Sequence, residues 1–506
     1  MTRADYPPLP LDVASERPST GRAHLAHIEQ VRVPDAIVDR LRAAAPTTID
    51  EAARIEAGRD WWPLALHWAL AGEVPCVPSV VVRPTTTSEV AAVLAICDEE
   101  RIPVTPAAGR SGVCGGSVPA HGGVSLDVLG LDGITHVSDA DLLVTARAGT
   151  NGLAFERGLR TGHFLTVGHW PQSIELSSVG GWVACRGAGQ YSNRYGKIED
   201  IVRGLEVVLA DGTVVRTGGR APRSAVGPDL TQLFTGSEGT LGVITEVTFA
   251  AHPMPPHEQR SAWTFATFDD GLEACRLTMR AGATPAVLRL YDGREGKRFG
   301  GDGTQAVLLV LDEGYERLVQ ASMAVVADAC GASGGEPLDV AAVAQWLEHR
   351  NDVSGLATAV EKGVVVDTCE IVAQWSKLPA IRAEATRRFK EIPGAAVISC
   401  HQSHAYLDGA CLYFTFAGFP PEGSGAVGIE SLYRKAWAEI EGATLDGGGA
   451  LSHHHGVGKL RAGLVEQALG APAHAVLSSL KTALDPHGIL NPGALGLASA
   501  FGRPAW

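Results

Sequence analysis

The sequence has little that is typical of secreted, membrane-spanning or nucleic-acid-binding proteins. Its nine cysteines are scattered and include no CxxC pair, which is typical of a reduced, intracellular protein. No apolar run reaches the roughly 20 residues that a membrane-spanning helix needs. Acidic residues outnumber basic ones by 56 to 42, so the chain lacks the basic surface that displaces counterions from nucleic acid. We expect no transmembrane segment, no nucleic-acid partner and a cytoplasmic location.

Several familiar motifs are also absent. No GxGxxG joins a strand to a helix and there is no GxxxxGK[ST], so neither a Rossmann site nor a P-loop is supported. The string Gly331–Gly335 matches the GxSxG of hydrolases, but it follows a helical pattern and therefore indicates a turn at a helix end. The first 20 residues do not have the charged and then apolar layout of a signal peptide, and we interpret them as a polar leader.

What the sequence does contain is enough apolar material for two or three folding units. Its 506 residues are 45% hydrophobic and 19% charged, as in a soluble globular protein. Residues 1–78 are helical in pattern and punctuated by proline. Short β/α alternation follows, and it predicts a strand at 79–83, a helix at 87–101, a strand at 102–107, a hairpin turning at Asp211-Gly212, a strand at 243–250 and a Pro-rich boundary at 252–260.

A second α/β run extends from residue 261. Its pattern predicts an antiparallel sheet with helices on one face, with strands at 286–292, 306–314, 363–371, 395–402 and 411–419 and helices at 276–280 and 318–332. The last segment, from residue 446, is rich in turns and too short to fold alone. We expect it to return to the first domain.

Three loops in the first half combine small residues with glycine: Thr105–Ser117, Gln172–Trp182 and Gly236–Thr245. Successive backbone N–H groups in such loops can converge on an anion such as a pyrophosphate. In the second loop, Ser177 or Ser178 is placed to cap a helix that begins near Val179. Any one loop alone is more often an ordinary turn, but three in one domain favour an extended dinucleotide lying along them.

These loops, in this order, resemble the FAD-binding domain of the vanillyl-alcohol oxidase superfamily, and most closely alkyldihydroxyacetonephosphate synthase and its bacterial relatives. The resemblance spans residues 50 to 495. The matching strings are RDWWPLA near the start, PAAGRSG (Pro106–Gly112), Ser173–Val202, TGSEGTLGVITE (Thr235–Glu246), GACLYF (Gly409–Phe414) and SHHHGVGKLR (Ser452–Arg461).

The resemblance implies an α+β enzyme with a PCMH-type FAD-binding domain of two α/β subdomains and an inserted cap domain, an antiparallel sheet covered by helices. We expect an N-terminal helical segment at 1–78 that packs on the FAD domain, the FAD domain at 79–255, the cap at 256–445 and a C-terminal segment at 446–506. The residues that the resemblance assigns to FAD are Pro106, Ala107, Ala108, Gly109, Arg110, Ser111, Gly112, Gln172, Ser173, Glu175, Ser177, Ser178, Cys185, Arg186, Gly187, Ala188, Glu238, Gly239, Thr240, Leu241, Gly242, Val243 and Ile244.

Two further expectations come from the resemblance. Many members of the superfamily tether the flavin through a histidine of the first loop, but the corresponding stretch, Arg110–Cys114, contains none. We therefore expect non-covalent FAD. Family members are commonly dimers, so a homodimer is expected.

Three consecutive imidazoles, His453, His454 and His455, lie between glycine-rich turns and are candidate catalytic residues. In an extended chain His453 and His455 share one face and His454 lies opposite. The rival interpretation is a metal cage of His401, His404, His453 and His455. No carboxylate or cysteine accompanies them at ligand spacing, so we favour no metal.

Tyr413 and Arg289 complete the candidate catalytic set. By position alone Tyr413 is an ordinary strand aromatic, whereas the resemblance makes it a general base whose pKa a neighbouring cation lowers from roughly 10. Arg289 lies among apolar strand residues and needs an anionic partner, either a substrate phosphate or carboxylate or a structural carboxylate. Lys459 and Arg461 are expected on a solvated rim.

One departure from the synthases affects the substrate. The resemblance places a phosphate-binding arginine before the strand near 364–371, but Asp352–Ala357 contains no arginine, and Arg350 replaces it only if the loop is re-routed. Loss of such a contact argues against a phosphorylated dihydroxyacetone. We therefore favour FAD-dependent oxidation of a small alcohol or hydroxy acid by hydride transfer to flavin N5. The alternatives are the synthase itself, which exchanges an acyl for an alkyl group through a flavin N5 adduct, and a flavin-binding protein without turnover.

Overall fold

The computed structural model describes residues 28, 30–219 and 221–502. The polar leader predicted for the first 20 residues lies outside this part of the chain. The described helices are Asp35–Ala44, Glu51–Ala57, Pro63–Leu70, Thr87–Glu99, Gly152–His163, Val179–Ala184, Ser192–Tyr195, Ile198–Ile201, Leu230–Phe234, Phe268–Arg280, Gly293–Gly296, Glu316–Ala332, Ala341–His349, Ser354–Glu361, Leu378–Lys390, Gly425–Asp446, Val465–Leu469 and Ala471–Leu484. None of them is both long and apolar enough to cross a membrane.

Valine-rich segments bounded by turns form the first sheet, because β-branched side chains suit a strand that is buried on both faces. Its strands, in order across the sheet, are Thr47–Thr48, Val80–Val82, Val124–Asp127 and Val104–Ala107. The last three are parallel. The strands and the helix predicted at 79–107 are thus confirmed, and the helix is capped by the Thr86 side chain.

The second sheet is antiparallel and carries the predicted hairpin. Its strands, in order, are Ile134–Ser138, Leu143–Arg147, Val243–Ala250, Val202–Val208 and Val214–Gly218. Gly212 has a φ of 86° between the last two strands, so the predicted turn at Asp211-Gly212 is confirmed. A short pair, Leu165–Thr166 with His252–Pro253, lies beside it.

The third sheet has seven antiparallel strands, as the second α/β run predicts. They are, in order, Glu336–Leu338, His257–Phe265, Ala306–Gly314, Val287–Tyr291, Ala395–Ala405, Gly409–Gly418 and Val365–Gln374. The first of the long strands begins inside the Pro-rich stretch 252–260, so that stretch is not wholly a linker. Its proline residues precede the strand and leave the hydrogen-bonding positions of the ladder intact.

Most helices of this region pack on one face of the seven-stranded sheet. Leu290, Leu308 and Phe414 point into this core, with residues of the four long helices that cover it: Phe268–Arg280, Glu316–Ala332, Leu378–Lys390 and Gly425–Asp446. The helix Ala341–His349 differs, because its Val343 and Trp346 pack on the opposite face against Val287 and Leu309. The helix Glu316–Ala332 ends at the GxSxG string, and the predicted turn there is confirmed.

The end of the chain lies against the first sheet. Val104 donates its amide proton to Ile489, and Asn491 donates to Val104. Ile489 and Leu490 are buried in the core of that sheet. These contacts support the prediction that the C-terminal segment returns to the FAD domain. The division of the chain into segments at residues 78, 255 and 445 stays a prediction.

Candidate functional site

A row of polar side chains crosses the face of the seven-stranded sheet opposite its long helices. Tyr291, His401, Tyr413 and Glu370 occupy directly paired positions on four adjacent strands. Such residues lie on one face with their side chains in contact. The rings of His401 and Tyr413 stack with centroids 4.6 Å apart, and those of Tyr291 and His401 lie 5.1 Å apart. The fold therefore brings together residues that are far apart in sequence.

A β-bulge adds a second histidine to this face. The register shifts between Gln402 and His404, and such an extra residue re-aims the side chains that follow it. His404 consequently stacks on His453 with ring centroids 4.6 Å apart. Its Nδ1 forms a 2.7 Å hydrogen bond with the hydroxyl of Ser192.

Arg289 is held by neutral groups. Its Nε donates to the hydroxyl of Tyr291 at 3.0 Å, and its Nη2 donates to Nε2 of His401 at 3.0 Å. Since the guanidinium can only donate, Nε2 is the acceptor and Nδ1 of His401 donates to Glu295 at 2.8 Å. Burial lowers the pKa of His401. No ion pair joins Arg289 to a carboxylate of the described residues. Of the two anionic partners expected for this arginine, the structural carboxylate is therefore not found in the described part of the chain.

One buried carboxylate shapes the histidine segment. Glu370 accepts hydrogen bonds from the amide N–H groups of His453, His454 and His455, at 3.2, 3.2 and 2.5 Å. Consecutive amides of an extended chain point to opposite sides, so three that converge on one carboxylate require a bent chain. The expected alternation of His453 and His455 against His454 is therefore wrong.

The bent segment turns all three imidazoles toward the sheet. His455 Nε2 lies 3.5 Å from the hydroxyl of Tyr413, and the ring of His454 lies 6.0 Å from that of Tyr413. The two Nδ1 atoms of His453 and His454 are 2.8 Å apart, and His453 Nε2 is hydrogen-bonded to Tyr406. The candidates Tyr413, His453, His454, His455 and Arg289 thus form one cluster.

The histidines close enough to share an ion differ from the predicted cage. In the described part of the chain they are His404, His453 and His454, whose nearest nitrogens lie within 4.8 Å of one another. His401 is bound instead to Glu295, and His455 Nδ1 lies 3.7 Å from Glu370. The predicted set of four histidines is therefore wrong: His401 and His455 do not belong to the group, and His454 does.

Lys459 and Arg461 are buried rather than at a solvated rim. Arg461 is 1% exposed and pairs with Glu370 at 3.1 Å and Glu441 at 2.8 Å. Lys459 Nζ donates to Asn491 at 2.9 Å and to the carbonyls of Gly115 and Gly116 at 3.3 Å. The prediction failed because carboxylates and carbonyls from distant segments satisfy both cations, and buried charges are tolerated only when so paired.

The pKa of Tyr413 shifts in the direction opposite to that expected. Burial raises it above its ordinary value, Glu370 and Asp367 raise it further, and the hydrogen bond to Thr368 and the charge of Arg289 oppose the shift without reversing it. Burial also lowers the pKa of His455 and of His453 to about 4. At neutral pH the cluster therefore consists of an un-ionised phenol and uncharged imidazoles.

The three glycine-rich loops meet one another. Gly236 and Glu238 of the third loop donate their amide protons to Val183 and Ala184, which follow the second loop. A Cβ on Gly239 would lie 3.0 Å from Pro106 of the first loop. The carboxylate of Glu238 accepts from the amides of Val457 and Gly458, at 2.6 and 2.8 Å. The loops and the histidine segment are thus joined at one place.

The first loop fits the phosphates of a dinucleotide. The amide N–H groups of Gly109, Ser111 and Gly112 form no hydrogen bond with another described residue. Apart from Gly116 and its two neighbours in the chain, no described residue has a heavy atom within 4 Å of the Cβ position of Gly116. Free amides on small residues that follow a parallel strand are what an anionic group needs. This stretch is therefore suited to hold the FAD pyrophosphate.

The remaining positions assigned to FAD divide into two groups. Of the two serines expected to cap the helix Val179–Ala184, Ser178 is the cap, because its Oγ accepts a 3.2 Å hydrogen bond from the amide of Gly181. Ser177 Oγ accepts from the Trp182 indole instead. The two groups differ in whether the side chain is buried. Those whose side chains are buried and leave only backbone to face a ligand are Ala107, Arg110, Ser177, Ser178, Ala188, Thr240, Leu241, Val243 and Ile244. The others are Pro106, Ala108, Gln172, Ser173, Glu175, Cys185 and Arg186, whose side chains are at least partly exposed, and the glycines Gly187 and Gly242.

Sequence reasoning did not identify the carboxylates of this site. Glu370 and Glu441 fix Arg461, and Glu295 fixes His401. The available signal was two acids, Asp367 and Glu370, within a largely apolar strand, Val365–Gln374, because a buried acid needs a partner. His169, buried with both ring nitrogens unpartnered among the described residues, was missed as well.

Comparison with known proteins agrees with this geometry. Residues 78–218 match the family model for the FAD binding domain, and residues 254–495 match that for the C-terminal domain of FAD linked oxidases. The FAD-linked oxidoreductase YgcU of Escherichia coli (strain K12) is 31% identical over 434 residues, which cover 83% of this chain and 89% of the relative.

Two further relatives differ in activity. Glycolate oxidase subunit GlcD of Bacillus subtilis (strain 168) is 28% identical over 474 residues, which cover 90% of this chain and 95% of the relative. A solved structure of alkyldihydroxyacetonephosphate synthase has a TM-score of 0.77 at 24% identity, over 96% of this chain and 90% of that one, and it shows a shared fold. The expected fold and cofactor are confirmed: the chain belongs to the FAD-linked oxidase family and is an FAD-dependent enzyme with a PCMH-type FAD-binding fold.

Proposed function

We propose that this enzyme oxidises a small hydroxy acid, the anionic member of the predicted class of alcohols and hydroxy acids, by hydride transfer to flavin N5. The observation that carries the proposal is Arg289, a nearly buried guanidinium that is paired with no carboxylate of the described residues and lies one hydrogen bond from the His401–Tyr413 stack. A substrate carboxylate supplies the missing charge. GlcD, a similar protein named for oxidation of a hydroxy acid, adds support.

The chain's own residues hold the cofactor and move one proton. The loops at 106–112, 173–178, 185–188 and 238–244 hold FAD, whose chemistry when bound is to accept a hydride from the carbon that carries the hydroxyl. Tyr413 accepts the proton of that hydroxyl. Because its pKa is raised, the phenol of Tyr413 is protonated at the start of the reaction. It accepts the substrate proton while its own proton passes to His455 Nε2, 3.5 Å away. His454, whose ring lies 4.6 Å from that of His455, positions His455, and His453 supports it through the contact between its Nδ1 and that of His454.

The synthase reaction is the second candidate, favoured by the structural likeness to alkyldihydroxyacetonephosphate synthase over nearly the whole chain. Against it stands the absence of arginine from 352–357. In the synthase reaction the long-chain alcohol replaces the acyl group and no net oxidation occurs.

Anaerobic stopped-flow absorbance separates these candidates. We expect lactate to bleach the flavin of the purified holoenzyme, and propan-2-ol, which has a methyl group in place of the carboxylate, to leave it oxidised. Exchange of an acyl for an alkyl group without lasting bleaching supports the synthase. Bleaching by both compounds at the same concentration contradicts the role of Arg289.

Attachment of the flavin and assembly are proposed from the sequence. The absence of histidine from Arg110–Cys114 supports non-covalent FAD, and acid precipitation should then leave all flavin in the supernatant. Flavin that stays with the pellet contradicts it. A homodimer and a cytoplasmic location stay predictions from the sequence.

A further inference from the structure

A second arginine, Arg350, lies beside the same indole as Arg289. The guanidinium carbon of each is 5.6 Å from the centroid of the Trp346 ring, so the two are no farther apart than twice that distance. Arg350 also lies 4.8 Å from the ring of Tyr191 and 5.2 Å from that of Trp170. Three aromatic rings thus surround one guanidinium.

Aromatic rings hold this cation without neutralising it. They attract a guanidinium through the electron density of their faces and leave its full charge in place. Arg160 provides a contrast, because it also lies against the Trp170 ring, at 4.8 Å, but pairs with Glu156 at 2.8 Å. Arg350 has no such partner among residues 28, 30–219 and 221–502.

Two hydrogen-bond donors here lack acceptors. Nη1 of Arg350 and Nε1 of Trp170 are buried and have no partner among the described residues. Buried donors of this kind cost free energy unless a ligand satisfies them. Both side chains remain partly exposed, so a ligand can approach them. The backbone is fixed independently, because Gln190 donates to the carbonyl of Arg350 at 3.0 Å.

This arginine adjoins the catalytic cluster by two routes. One runs through Trp346 to Arg289 and His401. The other runs through Tyr191, since the next residue, Ser192, is hydrogen-bonded to His404. Among the described residues, no carboxylate pairs with Arg350 or with Arg289, so two positive charges lie beside one reaction site.

We propose that Arg350 and the indole N–H of Trp170 form a second anion subsite, so that the substrate is a hydroxy acid with a second anionic group, a carboxylate or a phosphate, at its far end. The inference rests on the proposed function, in which Arg289 binds the carboxylate next to the oxidised carbon. The aromatic rings hold Arg350 in place and limit what anion binding costs in side-chain entropy.

Three related substrates test the subsite in the holoenzyme. Malate and 3-phosphoglycerate are lactate with a carboxylate and a phosphate, respectively, added to the methyl carbon. Arg350→Gln should raise KM for both by about 10- to 100-fold, the usual value of a charge-assisted contact, and leave kcat and the KM for lactate unchanged. Unequal effects on the two identify which anion is preferred. Arg382→Gln, which removes an arginine 4.8 Å from the Phe268 ring on the helical face, is the control and should change neither.

A structural role for Arg350 gives a different result. If the arginine only joins Trp170, Tyr191 and Trp346, the substitution changes lactate and malate kinetics equally or lowers the melting temperature alone. Either outcome, or no change for malate and 3-phosphoglycerate, overturns the subsite and leaves hydroxy-acid oxidation standing.

A binding measurement keeps the subsite testable if no hydroxy acid is oxidised. Calorimetric titration of the holoenzyme with succinate and with propionate compares two anionic groups with one and needs no turnover. Succinate should bind wild type at least tenfold more tightly than it binds Arg350→Gln, with propionate unaffected. Flavin that no substrate bleaches, together with this difference, rejects the proposed function and retains the subsite. Equal succinate affinities reject the subsite.

Discussion

Arg461 and Arg289 each contact the row of paired side chains that crosses the seven-stranded sheet, but they have opposite surroundings. Arg461 is enclosed by Glu370 and Glu441, under the ring of Trp437. Arg289 contacts a phenol and an imidazole instead. A cation between two acids is already compensated and stabilises the fold around it, whereas a cation among neutral groups keeps its charge for a ligand. We therefore read the first region as support for the histidine segment and the second as the substrate-binding region.

Substitution of Arg461 by methionine is expected to have the largest effect. It leaves Glu370 and Glu441 buried without a cation, and breaking a buried pair in this way typically costs about 3–5 kcal/mol. The three histidine amides held by Glu370 should loosen as well. Urea denaturation of the holoenzyme gives the change in the free energy of unfolding.

Arg388→Met is the matched control for Arg461→Met. Arg388 pairs with Glu384 and Asp446 at the surface, where an ion pair contributes about 0–1 kcal/mol. If both variants lose equally little stability, the distinction between the two arginines fails.

The sequence predicted the elements of this site better than their pairing. Strands such as Ala306–Gly314 and Val243–Ala250 are apolar runs bounded by turns, and period and propensity suffice to find them. The bulge at Gln402–His404 breaks the period of two, so the regular alternation of a strand does not predict that His401 and His404 share a face. The burial of Lys459 and Arg461 depends on Glu370, Glu441 and Asn491, and local patterns carry no information about such distant partners.

Tyr413→Phe tests the ligand-binding region directly. In the described structure the phenol hydroxyl makes hydrogen bonds only with Thr368, at 3.0 Å, and with His455 Nε2, at 3.5 Å, so its loss should spare the fold and the flavin. We expect kcat for flavin reduction to fall by about 10²- to 10⁴-fold, the usual contribution of a positioned acid or base. Thr368→Val, which removes the hydrogen bond and keeps the phenol, is the control and should reduce kcat far less.

The pH dependence sharpens the same test. His455 accepts a proton only when uncharged, and burial lowers its pKa to about 4. The rate of flavin reduction should therefore stay level from pH 8 to pH 6 and fall as the pH approaches 4. A fall already centred near pH 6.5, the ordinary histidine value, contradicts His455 as the acceptor in this environment.

Arg289→Met should affect binding more than stability, the reverse of Arg461→Met. Loss of a charge-assisted contact to the substrate carboxylate raises KM for a hydroxy acid by about 10- to 100-fold. Arg289→Lys should recover part of this, because it keeps the charge and loses the planar geometry. A variant that unfolds several kcal/mol more easily while its KM is unchanged shows that Arg289 is structural after all.

The smallest effect is expected from Glu441→Gln, and it depends on pH. Burial raises the pKa of Glu441 to about 7, and Glu370 raises it too, although Arg461 opposes the shift. In the unfolded chain the pKa of Glu441 is near 4.5. Between pH 4.5 and pH 7 the folded protein therefore keeps a proton on Glu441 that the unfolded chain has released. Stability from this group is complete below pH 4.5 and is lost as the pH rises through 7.

Glutamine mimics the protonated acid and lacks this loss. Relative to wild type, the variant should gain about 1 kcal/mol between pH 5 and pH 6, since each pH unit between the two pKa values removes at most about 1.4 kcal/mol of wild-type stability. Urea denaturation at the two pH values measures the difference. If the variant gains no stability relative to wild type, Glu441 is ionised in the native protein. Arg461 then holds two full negative charges, and the compensated region carries a net charge of its own.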